Sequence, residues 1–156
     1  MLKNLNLLDN ILLPACQLRR GKAARRELER RARMLMAKMG IESLAERRIT
    51  GVSGGQLQRA CICRSMMNQP KILFADEPTG ALNQSVAREV MAEFSRLNRE
   101  GATILMVTHD SKVAAQCGRI LYLLDGCIRG EFSPAGVAGE KEREEAVGRW
   151  LAEMGW

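Results

Sequence analysis

Asp76 and Glu77 follow the apolar run Ile72-Leu73-Phe74-Ala75 and precede Pro78-Thr79-Gly80. Carboxylates at the end of a buried strand suit a hard divalent cation, which takes oxygen ligands and keeps several waters. The second carboxylate of such a pair can align and polarise an attacking water. Acidic strand ends are also common outside active sites, so the pair alone decides nothing. Ser53-Gly54-Gly55-Gln56 opens a predicted helix, where unsatisfied N–H groups and the helix dipole favour an anion. Two glycines let a phosphate approach the backbone, and the plainer alternative is a serine N-cap with a flexible lead-in. His109 follows a second apolar run and is open to either a catalytic or a structural reading.

The elements that must position these groups can be read from periodicity. Residues from about Asn4 to Leu13 form an apolar opening with Pro14 as a point of interruption. From about Gly21 to Met39 the apolar residues Leu28, Ala32, Leu35, Met36 and Met39 recur at helical spacing, and Gly40 is a stop. Ile41 to Ala45 reads as a short helix or turn, Glu46 to Val52 as a loop, and Ser53 to Asn68 as a helix. After Pro70 the pattern changes. Lys71 to Ala75 and Thr103 to Val107 are continuous apolar runs, as expected of strands buried on both faces, with a helix from Gln84 to Asn98 between them. A short helix from Ser111 to Gln116 follows His109. Asp125-Gly126 then predicts a hairpin between Arg119–Leu124 and Cys127–Glu131. Ser133 to Gly139 reads as a linker and Glu140 to Met154 as an amphipathic helix. Strand alternating with helix argues an α/β fold with a mainly parallel sheet, preceded by a helical lobe.

Composition narrows the function classes. A chain of 156 residues fits one domain, and aromatics at 4% against an apolar content of 46% imply an aliphatic, methionine-rich core. No apolar stretch reaches the length of a membrane helix, and the start has no signal-peptide pattern, so a soluble cytosolic protein is expected. The five cysteines lack C-x-x-C spacing, which argues reduced thiols rather than a zinc site. The net charge of +6 lies within Arg19–Arg33, where eight basic residues face two acidic ones. That block has no interleaved aromatics and no nucleic-acid module, so a solvated or partner-facing helix is expected.

Taken in order, the phosphate-suited helix start, the acidic strand end and the histidine resemble the nucleotide-binding domain of ATP-binding-cassette (ABC) transporters. Val52 to Gln56 is similar to the family's signature loop, and Lys71 to Glu77 to its Walker B strand with the catalytic glutamate. Gly80-Ala81-Leu82-Asn83 falls on the D-loop and His109 on the switch histidine. Leu7 to Pro14 and Asp76 to Gly80 resemble the group of lipoprotein-release, macrolide-export and bacitracin-type peptide-export ATPases. Glu144 to Trp156 is similar to the end of peptide-export members. Two departures stand out. Asn83 replaces the D-loop aspartate, for which modest damage to subunit communication is expected. No G-x-x-x-x-G-K-[S/T] occurs, since Gly21-Lys22 has Cys16 in place of the first glycine and Ala23 in place of the hydroxyl.

The resemblance implies a partial P-loop NTPase fold: a helical signature subdomain over 1–69, a partial catalytic core over 70–132, and a linker with a terminal helix over 133–156. It implies that Ser53, Gly54, Gly55 and Gln56 contact the γ-phosphate of ATP held by a second ATP-binding domain in a head-to-tail dimer. Asp76 would support Mg2+ through water, Glu77 would polarise the attacking water, His109 would sense the γ-phosphate, and Asn83 would lie beside the nucleotide. The implied partner is a transmembrane permease, with the chain peripheral at the inner face of the plasma membrane and no nucleic acid bound. The implied function is export of antimicrobial peptides or lipoproteins. By the same resemblance the first third of a typical domain precedes Met1, which predicts impaired autonomous ATP binding and an open sheet edge prone to self-association. The alternatives are a non-catalytic module lending the signature face to a complete partner, and a soluble ABC protein linked to nucleic acid.

Overall fold

A computed structural model of the chain describes residues 1–16, 22–80 and 82–156. Arg19, Arg20 and Gly21 of the basic segment, and Ala81 of the D-loop stretch, lie outside the described residues. The chain forms two compact units, Met1–Met106 and Val107–Trp156.

The first unit begins with α1 (Leu7–Cys16), α2 (Lys22–Lys38) and α3 (Gly54–Met66). Pro14 does not interrupt α1, which continues to Cys16. Leu7, Leu8, Ile11, Leu12 and Ala15 are all buried, and that burial outweighs the backbone bond the proline cannot donate. Asn10, fully buried on the same helix, is satisfied by the chain before it. Its Oδ1 accepts from Leu2 N at 2.7 Å, and its Nδ2 donates to the carbonyls of Leu2 (3.0 Å) and Asn6 (2.9 Å). The start of α1 is also tied to the segment after α2, with Leu7 N donating to Arg47 O and Leu8 N to Ala45 O. Ile41–Ala45 holds one 3-10 turn (Glu42–Leu44), and a second (Ile49–Gly51) lies in the predicted loop.

The arginines of α2 do different jobs. Arg25, Arg26 and Arg30 are exposed. Arg33 pairs with Glu29 and Glu46, both at 3.2 Å. Arg31 reaches across to α3 instead, donating from Nε to Met67 O and from Nη2 to Met66 O, each at 2.9 Å. A cation on the last carbonyls of a helix complements its dipole.

β1 (Ile72–Asp76), α4 (Gln84–Arg99) and β2 (Thr103–Val107) complete this unit, the last strand running to its boundary. β1 and β2 are neighbours in a two-stranded sheet joined through α4, the strand–helix–strand connection of a parallel sheet. The expectation that both strands are buried on two faces is corrected. Leu73 is buried, but Ile72, Phe74 and Leu105 are 48%, 74% and 50% exposed. The runs are continuously apolar, yet only one face is covered among the described residues, so burial alternates along each strand.

The second unit holds α5 (Ser111–Ala114), the antiparallel pair β3 (Ile120–Leu124) and β4 (Cys127–Phe132), and α6 (Glu140–Glu153). The hairpin turn has positive φ at both central residues, 52° at Asp125 and 74° at Gly126, as its sequence predicts. Its core gathers Ala115, Val147 and Leu151. Trp150 stacks on Phe132 at 5.4 Å and meets Tyr122 edge-on at 6.5 Å. Gly130 is required where α6 crosses the hairpin, because a Cβ there would sit 2.8 Å from Met154 Sδ and 3.1 Å from Trp150.

Candidate functional site

Ser53 is the N-cap of α3 and forms a complete capping box with Gln56. Its Oγ accepts from Gln56 N at 3.3 Å, and Gln56 Oε1 accepts from Ser53 N at 2.9 Å. The two side chains expected to meet a phosphate thus also hold the helix start in shape. The glycines divide. Gly54 is exposed, whereas Gly55 is buried. A Cβ at Gly55 would overlap the Cγ1 methyl of Val86 on α4, and one at Gly54 would lie 3.2 Å from Leu82 Cδ2. The serine cap expected from sequence is present, and Gly54 at its exposed edge leaves the helix start open to solvent.

Asp76 is the last residue of β1 and is exposed; Glu77, half-buried, follows it with φ 42°. A non-glycine residue in the left-handed region costs on the order of 1–3 kcal/mol, a strain typical of functional turns. The turn is closed by Gly80 N donating to Glu77 O (3.2 Å) and Leu82 N to Thr79 O (3.0 Å), over buried Pro78 and Thr79. It leads into Asn83, whose Oδ1 accepts from Val86 N at 3.0 Å as the N-cap of α4. An asparagine caps a helix as well as an aspartate does, so the cap of α4 needs no carboxylate.

The first unit therefore joins the signature turn to the D-loop turn through α4: Asn83 holds the backbone of Val86, whose side chain covers Gly55. Arg59 of α3 adds a second tie, pairing with the Glu89 carboxylate and donating to Met39 O at 3.3 Å. Sequence reasoning missed Val86, Arg59 and Glu89. The spacing Asn83-x-x-Val86 marks a cap, but nothing in the sequence aims the valine at a glycine 31 positions earlier. His109 is exposed beyond β2 in the second unit, just before Asp110, which caps α5 by accepting from Lys112 N at 2.8 Å.

Asp76 and Glu77 offer carboxylate oxygens, and no group of three or more His, Cys, Asp or Glu able to hold a metal occurs among the described residues. That set fits magnesium held partly by water and by phosphate oxygens, rather than a protein cage. The exposed start of α3 fits a phosphate. The free thiols are not gathered into a site: Cys16 and Cys127 are exposed, while burial pushes the Cys63 thiol up to about 12.

Comparison with known proteins agrees with this geometry. The ABC transporter family model matches residues 2–80, just over half of the chain. The macrolide export ATP-binding/permease protein MacB of Hahella chejuensis is 38% identical over 163 residues, spanning 97% of this chain and 24% of that protein. The uncharacterized ABC transporter ATP-binding protein YvrO of Bacillus subtilis is 38% identical over 139 residues, spanning 86% of this chain and 59% of that protein. Among solved structures, the ATP-binding cassette MJ0796, a dimer in a post-hydrolysis state bound to ADP and phosphate, superposes with a TM-score of 0.74 at 35% identity. It covers 87% of this chain and 60% of that one. The chain thus spans about a quarter of the MacB protein and about three-fifths of the other two. By the family match, the relatives and the shared fold, the chain belongs to the ABC transporter family, within its P-loop ATPase cassettes.

Proposed function

We propose that the chain acts as the signature-bearing part of an ATP-binding cassette in an exporter of the macrolide, lipoprotein and peptide group. The observation that carries this reading is the exposed, capped turn Ser53–Gln56, buttressed from behind by α4. A preshaped helix N-terminus lowers the cost of ordering donors around an anion. In the proposed assembly this turn faces the γ-phosphate of ATP on a second cassette, as the dimeric MJ0796 neighbour suggests.

Asp76 and Glu77 are assigned to the chain's own nucleotide, Asp76 orienting metal-bound water and Glu77 accepting a hydrogen bond from the attacking water. Magnesium, when bound, offsets the charge of the β- and γ-phosphates. His109 is assigned to the γ-phosphate of that same nucleotide, and Asn83 to the cassette–cassette contact. No phosphate loop occurs among the 156 residues, so the assignments of Asp76, Glu77 and His109 need one supplied with the chain. In this reading 1–69 forms the signature subdomain, 70–132 part of the catalytic core and 133–156 an appended linker and helix. A permease and a place at the cytoplasmic membrane face belong to the same proposal. The exposed α2 surface around Arg26, Arg30 and Met34 is the candidate contact, and no helix among the described residues is long and apolar enough to cross a membrane.

The test is phosphate release from a complete cassette of the macrolide-export group, titrated with this chain. A changed rate that Ser53→Arg cancels is the expected result. An unchanged rate at saturating chain rejects the signature reading. Hydrolysis of Mg-ATP by the chain alone, lost in Glu77→Gln, would instead make it a self-sufficient ATPase.

A further inference from the structure

We propose that Val86 is a positioning residue that fixes the signature turn to the D-loop turn, and that Gly55 is glycine in order to admit it. This deepens the function proposed above and rests on it. Of the two signature glycines, only Gly54 is open to solvent. Gly55 is buried, and the space a side chain would need is already filled by the Cγ1 methyl of Val86. The same residue is held from the other side, where its N–H is the one that Asn83 caps at 3.0 Å. Movement of the Asn83 turn therefore displaces Val86, and Val86 bears directly on the residue next to the capping box. The Arg59–Glu89 pair links the same two helices about one turn further along and keeps them in register.

The two explanations of Gly55, access for phosphate and access for Val86, make opposite predictions for a size exchange. In Gly55→Ala the new methyl collides with Cγ1. In Gly55→Ala/Val86→Ala that methyl group is gone, and the nearest retained atom, the Cβ of residue 86, lies 3.6 Å from the added Cβ, an ordinary contact. The alanine at 55 remains in both.

The experiment uses the full chain with Val86→Ala, Gly55→Ala and the double variant, read by amide hydrogen exchange over residues 53–58 and by phosphate release from the complete macrolide-type cassette. Val86→Ala should speed exchange over 53–58 by about tenfold, the effect of losing roughly two methyl contacts, without changing exchange near Met66. Gly55→Ala should do the same or more and lower the maximal stimulated rate. The double variant should recover both toward the values of the parent chain, beyond what either single change allows. Should Gly55→Ala fail to fold, a folded double variant with restored exchange supports the proposal equally. Exchange in the double variant no slower than in Gly55→Ala overturns it. Restored exchange with stimulation still absent also overturns it, and assigns Gly55 to phosphate access. If the parent chain leaves the cassette's rate unchanged, the proposed function falls, while the exchange measurements still decide whether Val86 positions the turn.

Discussion

Removing the guanidinium of Arg31 separates helix capping from simple charge on the basic helix. Arg31→Met keeps an apolar stem but strands the carbonyls of Met66 and Met67, which now accept at 2.9 Å each from one half-buried fork. Hydrogen bonds from a charged donor contribute roughly 1.5–3 kcal/mol each, and the two share one side chain, so a loss of about 3 kcal/mol is expected. With a urea dependence of about 2 kcal/mol per molar, the unfolding midpoint should fall by roughly 1–2 M. Arg31→Lys, a point donor unable to span both carbonyls, should lose about half as much. Arg33→Met is the control, because Arg33 makes exposed pairs with Glu29 and Glu46 that high salt screens. The assay is urea unfolding followed by helical circular dichroism. Both tryptophans, Trp150 and Trp156, lie in the second unit, so tryptophan fluorescence reports that unit separately. Equal midpoints for the Arg31 and Arg33 variants, or a midpoint loss at Arg31 that salt abolishes, would refute the capping account.

Three further outcomes are expected. The chain should self-associate with rising concentration in sedimentation, and Phe74→Ser should lower that association by breaking the apolar face of Ile72, Phe74 and Leu105; unchanged association would place the contact elsewhere. With a disulfide reagent at pH 8, Cys16 and Cys127 should react rapidly. Cys63, buried with its thiol pushed up to about 12, should react only on unfolding, and early modification of Cys63 would contradict its burial. The hydrogen bond and charge of Arg119 lower the Glu131 carboxyl below its usual range, so any stability from this exposed pair is present at neutral pH and lost as pH falls through the lowered value. Arg119→Gln should return the Glu131 titration, followed by NMR, to the ordinary range; an unmoved titration would exclude the pair as its cause.

Much of the local structure could be read from pattern. Ser53 is the N-cap that one reading of the sequence expected, Thr103–Val107 matches its strand residue for residue, and Asp125-Gly126 turns as its conformational preferences require. What sequence could not show was governed by contacts far along the chain. Pro14 was expected to interrupt the apolar opening, and burial of its neighbours carries a helix past it. Continuous apolar runs at Ile72 and Leu105 were expected to be covered on both faces, and apolar composition does not reveal which surface supplies the cover. Arg31 was one charge among eight in a basic block, and its partners lie 35 and 36 residues away. In the candidate site the acid pair and the signature turn were legible because their chemistry is local. The strut through Val86 was not, since a valine on an amphipathic helix carries no mark of the glycine it covers.

The cap at Asn83 has a bearing on acid tolerance. An aspartate there would accept its hydrogen bond best when ionised and would loosen as protons arrive, giving the start of α4 a titrating hinge. The amide of Asn83 has no proton to gain and holds Val86 N at the same 3.0 Å whatever the pH. What it forgoes is the attraction of a negative charge to the helix start, about 0.3–1 kcal/mol. Acidification therefore leaves the cap at the exit of this turn unchanged.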